Sequence, residues 1–81
     1  MDLSFNLIEK VENLKNLKNL ENLQLSNNKI ETIEFEELQN LQKLNFISFN
    51  KNKISNMLNL LYVLNNFKNL EIVSVVDNPF T

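Results

Sequence analysis

The chain has 81 residues and a formal net charge of −2, and it contains no cysteine, histidine or glycine. The absence of cysteine and histidine excludes the usual zinc sites, histidine-based catalytic triads and thiol nucleophiles, and a chain without disulfides fits a reducing intracellular compartment. All basic residues are lysines interleaved with glutamates, so no basic face indicates nucleic acid, and no apolar run is long enough to span a membrane.

One adjacent carboxylate pair, Glu36 and Glu37, has the chemistry for acid–base catalysis. Neighbouring residues point in different directions on a helix or an extended segment, so we expect both side chains to lie on a solvated surface. The sequence therefore predicts a protein that is not an enzyme and that has no cofactor, metal site or small-molecule substrate.

An asparagine recurs along the chain, each time after alternating apolar residues, at Asn6, Asn28, Asn52 and Asn78. The surrounding pattern L-x-x-L-x-L-x-x-N-x-I is shared by Leu20, Leu23, Leu25, Asn28 and Ile30, by Leu44, Ile47, Phe49, Asn52 and Ile54, and by Leu70, Val73, Val75, Asn78 and Phe80. A period of this length predicts a leucine-rich-repeat solenoid. An amide side chain both donates and accepts hydrogen bonds, so we expect the four asparagines to form a structural ladder that satisfies buried backbone groups.

The alternating segments are typical of short, half-buried strands. We predict an α/β, right-handed solenoid with parallel strands near residues 1–4, 23–26, 47–50 and 73–76 on its concave face, and 3₁₀ or α segments on its convex face. Alternate strand residues point away from the core and form the candidate partner-binding face: Asp2 and Ser4; Asn22, Gln24 and Ser26; Phe46, Ser48 and Asn50; Ile72, Ser74 and Val76.

Three members of this face, Phe46, Ile72 and Val76, are apolar where the repeat does not require apolar residues. Exposed apolar clusters commonly mark protein interfaces, and we interpret these residues in that way. The alternative is that they are exposed incidentally or pack against a missing downstream cap, and this applies above all to Val76 in the last row.

The intervals between the strands differ from one another. In the first interval, apolar residues follow a spacing of three at Val11, Leu14, Leu17 and Leu20. The second interval has two extra residues around Phe35 and then the same spacing at Leu38, Leu41 and Leu44. A spacing of three favours short 3₁₀-like turns. The third has Met57, Leu60, Leu61, Leu64 and Phe67, which predicts the only α-helix, with Ser55 or Asn56 as its N-cap. We expect this helix to cover the core; the alternative is a docking ridge.

Residues 1–81 are interpreted as one array of about three repeats with partial ends. Without glycine, the turns are expected to use asparagine for left-handed backbone geometry. Neither end has a polar capping element, so we expect a fragment of a longer repeat domain; the alternative is that neighbouring proteins cover the ends.

The chain resembles the leucine-rich-repeat class typified by the protein-phosphatase-1 regulatory repeat protein, and residues 2–6 through 25–30 fit that class almost without a break. A second resemblance, to the leucine-rich-repeat subunit family of the axonemal nexin–dynein regulatory complex, is carried by residues 52–57, by Tyr62, Phe67 and Lys68, and by residues 73–79. It implies a structural scaffold in the axoneme of cilia or flagella, whose partners are other protein subunits of a large assembly.

Three functions therefore stay open on the sequence: an axonemal scaffold, a regulatory binding module for a phosphatase, and a scaffold in an intracellular complex such as the spliceosome. The first places the protein in the cytoskeleton, the others in the cytoplasm or nucleus. All three need a protein partner, and none needs nucleic acid, a membrane or a small molecule.

Overall fold

The computed structural model describes residues 1–79 and shows an α/β fold with one parallel sheet and two helices. The elements in chain order are β1 (Asn22–Gln24), α1 (Phe35–Leu38), β2 (Phe46–Ser48), α2 (Met57–Leu64) and β3 (Ile72–Ser74). The sheet order is β1-β2-β3, so neighbouring strands in the sheet are also consecutive in the chain. The α/β class and the parallel pairing predicted from the alternating segments are confirmed. Phe80, which the sequence pattern assigns to the last repeat, lies outside the described residues.

The register of the sheet aligns equivalent residues of successive segments. Leu23, Ile47 and Val73 stand opposite one another, and so do Asn22, Phe46 and Ile72. Because side chains alternate between the two faces of a strand, the first set points to the core and the second points away from it. The sheet therefore has one apolar inner face and one separate outer face.

The predicted strand at residues 1–4 is reduced to a single parallel bridge between Asp2 and Gln24. Leu3 donates its N–H to the Gln24 carbonyl at 2.8 Å, and Phe5 donates its N–H to Ser26 at 3.0 Å. The extended backbone ends at Phe5, where φ is 59°, and Asp2 with Gln24 is the one residue pair that forms a bridge in this segment. The expectation of a fourth strand is therefore wrong for the described residues.

The first two intervals form tight turns. Leu17 donates its N–H to the Leu14 carbonyl and Leu20 donates to Leu17, both at 3.0 Å. These i to i+3 bonds are those predicted from the spacing of three. In the second interval, however, Phe35–Leu38 forms one α-helical turn, which contradicts the prediction of a helix in the last interval only. The two extra residues near Phe35 give this interval the length for one α-turn.

Helix α2 begins after Asn56, whose side-chain Oδ1 accepts the N–H of Asn59 at 3.1 Å. The sequence left Ser55 and Asn56 open as N-caps, and the structure uses Asn56. The helix ends at Leu64, so it is shorter than the predicted segment reaching Phe67. Its buried residues are Leu60 and Val63.

Two residues that the sequence assigned to the inner face of α2, Met57 and Leu61, are exposed by 46% and 50%. Val63 lies inside instead and is fully buried. Leu60 and Val63 form the buried face of α2, and Met57 and Leu61 lie on the flank of the helix beside that face. The helix covers the core with one side and leaves apolar residues exposed on the other.

Within residues 1–79, five residues have a left-handed backbone with φ between 57° and 63°: Phe5, Asn13, Asn27, Lys51 and Asp77. Four of them come immediately before the recurring asparagines, where the chain leaves the sheet. The expectation that asparagine supplies this geometry holds only at Asn13 and Asn27. At the other positions the hydrogen bonds of the following asparagine hold the turn, even though a left-handed residue costs about 1–2 kcal/mol.

The core lies between the inner face of the sheet and the connecting intervals. Leu23 and Ile47 are fully buried in the two strands that have a neighbour on each side. The intervals contribute the remaining apolar residues of the same cluster, among them Val11, Leu14, Ile33, Leu38, Leu41, Leu44, Leu60 and Phe67. Val73, their counterpart in β3, is 38% exposed, because no further segment among residues 1–79 covers it.

Candidate functional site

The recurring asparagines hold successive segments together with one repeated set of hydrogen bonds. Nδ2 of Asn52 donates to the Phe49 carbonyl in its own segment and to the Leu25 carbonyl in the preceding segment, both at 2.9 Å. Its Oδ1 accepts the Ile30 N–H at 3.1 Å. Asn52 itself is buried. One side chain thus satisfies backbone groups on both sides of a buried turn.

The same arrangement is repeated at Asn28 and Asn78. Nδ2 of Asn28 donates to the Leu3 and Leu25 carbonyls at 3.1 and 3.0 Å, and its Oδ1 accepts the Ile8 N–H at 3.2 Å. Asn78 donates to Phe49 and Val75 and accepts from Ile54. In each case the N–H that Oδ1 accepts comes from an isoleucine of the preceding segment, and this isoleucine lies two residues after the asparagine of its own segment. The three buried asparagines therefore have equivalent structural positions.

Asn6, the fourth predicted member, is exposed. Its Nδ2 donates to the Leu3 and Ser4 carbonyls at 2.8 and 3.2 Å, which reproduces the bonds within a segment. The bonds to a preceding segment are missing because the described chain has none there. Asn6 therefore stabilises its own turn without joining two segments.

The outer face of the sheet, defined here as Asn22, Gln24, Ser26, Phe46, Ser48, Asn50, Ile72, Ser74 and Val76, is the candidate partner-binding surface. Asn22, Phe46 and Ile72 form one row across the three strands, and Gln24, Ser48 and Ser74 form the next. Ile72 is 55% and Val76 58% exposed, whereas Phe46 is half-buried. The register therefore places Phe46 directly beside Ile72 and makes the β3 side of this face apolar.

Ser48 is a correction to the predicted set of accessible residues, because it is only 6% exposed. Its Oγ lies 2.6 Å from Oγ of Ser26 on the neighbouring strand segment. Strands on both sides of β2 screen this small side chain from solvent. Ser48 therefore stabilises the sheet and is not available to a partner as a contact of its own.

Asn50 is also engaged within the protein. Its Oδ1 accepts the Ser74 hydroxyl at 2.8 Å and the Val76 N–H at 2.7 Å. These bonds fix the backbone just after β3 and hold Val76 in place. The candidate surface thus consists of a fixed polar lattice, with its accessible apolar residues concentrated at Ile72 and Val76 and a partly covered Phe46 beside them.

Sequence reasoning missed Asn59, which joins α2 to the preceding interval. Its Nδ2 donates to the Ile33 carbonyl and its Oδ1 accepts the Ile33 N–H, each at 3.3 Å. The side chain therefore pairs with the backbone as another strand would. A polar residue inside the apolar run from Met57 to Leu64 was the available signal.

Helix α2 also carries apolar residues on its outer surface, and these lie outside the set of residues from which the sequence predicted the helix. Leu58 is 79% and Tyr62 63% exposed. Tyr62 stands over Phe35 of α1, with ring centroids 6.0 Å apart and an edge-to-face angle of 73°. The ring contact connects the two helices.

The charged side chains of residues 1–79 form few direct contacts with one another. No group of three or more possible metal-ligating residues occurs within residues 1–79, and Lys15 and Glu37 form the one ion pair found there, at 3.9 Å between Nζ and Oε1. One surface depression is lined by charged and polar residues, among them Glu21, Lys43 and Glu71, and another is lined in part by Leu7 and Ile8. Glu36 and Glu37 lie in the first turn of α1.

The pKa of the Asp2 carboxyl is lowered from its ordinary value. Its Oδ1 accepts the backbone N–H of Ser4 at 2.9 Å, and this bond, followed by a side-chain bond to Ser4, lowers the Asp2 pKa. The side chain is fully solvated. The Asp2 carboxylate therefore accepts the Ser4 N–H in the segment beside β1.

Comparison with known proteins identifies no relative: no protein-family model matches the chain, and no curated protein matches it significantly. None of the helices within residues 1–79 has the length and apolar character needed to cross a bilayer.

Proposed function

We propose that this chain is a leucine-rich-repeat array that serves as a non-catalytic protein–protein interaction scaffold. The repeated bonds of Asn28, Asn52 and Asn78 support the repeat assignment, because each asparagine links the same backbone positions in adjacent segments. The 22-, 24- and 26-residue spacing and the parallel sheet support it further. A right-handed solenoid of these repeats presents its sheet on the concave side.

The partner binds the outer face of the sheet, around Ile72. The observation that carries this proposal is the row formed by Phe46 and Ile72, which stand opposite each other on a face where the fold requires no apolar side chain. Ile72 and Val76 are largely exposed on the same strand segment. An exposed apolar cluster surrounded by fixed polar groups is the arrangement of a protein interface with anchors and a polar rim.

Within this proposal the scaffold belongs to a large intracellular assembly, the nexin–dynein regulatory complex of the ciliary axoneme, and its partners are other subunits. The resemblance of residues 52–57 and 73–79 to that subunit family supports the assignment, as does the helical third interval. Binding is structural and involves no turnover, cofactor or metal. A phosphatase-regulatory module is the competing function, and it predicts cytoplasmic or nuclear protein.

The proposal is tested by placing a photo-crosslinking amino acid at single positions of the full chain in ciliated cells. Introduced at Ile72 or Val76, it should give the same protein adduct, and a fluorescently tagged chain should lie along the axoneme. Introduced at Lys15, which is solvent-exposed and pairs with Glu37 of α1, it is the control. Adducts formed only from Lys15 contradict binding through the sheet, and a diffuse tag contradicts the axonemal assignment alone.

A further inference from the structure

The two edges of the sheet expose residues of the kind that is buried in its centre. Leu25 and Phe49 are 1% and 0% exposed, whereas their equivalents Leu3 and Val75 are only partly covered. Val73 is 38% exposed, although Leu23 and Ile47 at the same register position are fully buried. Each edge therefore exposes apolar side chains of the kind that pack against an adjacent segment in the centre of the sheet.

Within residues 1–79, the backbone at the β3 edge also lacks a hydrogen-bond partner that the centre of the sheet provides. Leu25 donates its N–H to Ser48 at 2.9 Å, and Phe49 donates to Ser74 at 2.8 Å, so alternate residues of each segment bond to the next strand. Val75 is the next residue in this series, and residues 1–79 contain no strand beyond β3. The β3 edge thus presents a backbone donor in the position that pairs with a following strand elsewhere in the sheet.

Asn6 supplies the matching feature at the opposite edge. Asn28, Asn52 and Asn78 each donate to a carbonyl three residues before the asparagine of the preceding segment, at 3.1, 2.9 and 3.0 Å. Counting in the same way, the carbonyl that Asn6 would reach is Val75 of another copy. Asn6 already has the orientation for this bond, since its amide makes the usual bonds to Leu3 and Ser4.

We propose that a second copy of this chain docks head to tail, with residues 1–6 of one copy adding as a parallel strand to the β3 edge of the other. Leu3 then packs on Val75, and Ser4 stands opposite Val76. This register continues the one within the chain, where Asp2 pairs with Gln24 and Ser48 pairs with Ser74. Ser4, Ser26 and Val76 each lie two residues after one of these paired positions and are therefore equivalent. The interface repeats the one between adjacent segments within the chain. It joins two different surfaces, so it extends into open chains.

Two proline variants of the full chain test the head-to-tail arrangement. Asp2→Pro removes an edge N–H equivalent to that of Gln24, which donates to the Met1 carbonyl of the preceding segment at 2.9 Å, and Val75→Pro removes the N–H at the β3 edge. Sedimentation velocity should show that the unaltered chain at least doubles its average mass with concentration, that each variant alone stays monomeric, and that their equimolar mixture forms a 1:1 dimer. Self-association of either variant alone, a monomeric mixture or a monomeric unaltered chain overturns the proposal.

A disulfide test leaves the backbone unchanged and so covers the case in which a proline variant does not fold. The chain has no cysteine, and the variant carrying both Ser4→Cys and Val76→Cys places two thiols at the proposed contact. Oxidation should give a ladder of linked multimers. The matched variant with Ser4→Cys and Lys15→Cys should stay mostly unlinked, and equal linking of the two variants rules out the proposed register. Neither result depends on the partner that binds the outer face.

Discussion

Nδ2 of Asn52 lies 2.9 Å from the carbonyl oxygen of Leu25, a residue 27 positions earlier in the chain. Asn52 is buried, and Leu25 is almost completely so. The bond therefore connects two consecutive segments in a region where water cannot replace it.

Replacing Asn52 with alanine should lower the free energy of unfolding by about 1–3 kcal/mol, because the Ile30 N–H and the Leu25 carbonyl lose a buried partner. Denaturant unfolding followed by circular dichroism measures the change. Asn40→Ala, at an exposed position in a turn, is the control and should change stability little. Equal losses for the two variants would contradict the role given to the buried asparagines.

Lys51→Asn should stabilise the fold by about 0.5–1 kcal/mol, because asparagine adopts left-handed backbone geometry at a lower free-energy cost than lysine. Lys51 is exposed and has φ of 57°, so the substitution changes backbone preference with little loss of packing. Lys53→Asn is the control, because it makes the same chemical change at a residue whose φ is not positive. The prediction is wrong if thermal melts show that both substitutions have the same effect.

Asn59→Ala should destabilise the protein by about 1–2 kcal/mol, because Ile33 loses both partners of its backbone groups in the contact between α2 and the preceding interval. Asn65→Ala, an exposed residue at the end of the same helix, provides the comparison. Hydrogen exchange at the Ile33 amide should accelerate in the first variant alone. An unchanged exchange rate there would remove Asn59 from this role.

The Asp2 carboxyl should titrate below its ordinary pKa, since its ionised form accepts the Ser4 N–H. A lowered pKa in the folded state means that the stabilising contribution is present above the pKa of the unfolded chain and is lost as pH falls through the folded value. The amide chemical shift of Ser4 in NMR spectra should report this transition. Asp2→Asn should abolish it, and a Ser4 shift that follows pH equally in that variant would contradict the assignment.

The sequence pattern predicts the sheet well because alternation and the asparagine spacing are strong, local signals. Leu23 and Ile47 stand in the predicted register, and the turns at Leu17 and Leu20 have the predicted bonds. The helices were less predictable. One α-turn at Phe35–Leu38 arises from two additional residues, and such a small length difference favours neither a 3₁₀ turn nor an α-turn in the sequence alone.

Accessibility on the candidate face was also only partly predictable. Alternation assigns Ser48 and Ile72 equally to the outer face, but Ser48 has a strand on each side and Ile72 has one on a single side. Position within the sheet therefore makes Ser48 buried and Ile72 exposed. The pairing of Asn59 with Ile33 could not be predicted, because it depends on how α2 lies across a segment 26 residues earlier.

The most direct test of the proposed scaffold function is an affinity scan by calorimetry against the partner protein recovered by crosslinking. Ile72→Ala and Phe46→Ala should each weaken binding by more than about 1 kcal/mol, because apolar anchors dominate interface energies. Leu58→Ala truncates an apolar side chain that is 79% exposed on α2 and should leave the affinity unchanged. A loss of affinity for Leu58→Ala with no change for Ile72→Ala and Phe46→Ala would place the interface on the helix and contradict binding through the sheet.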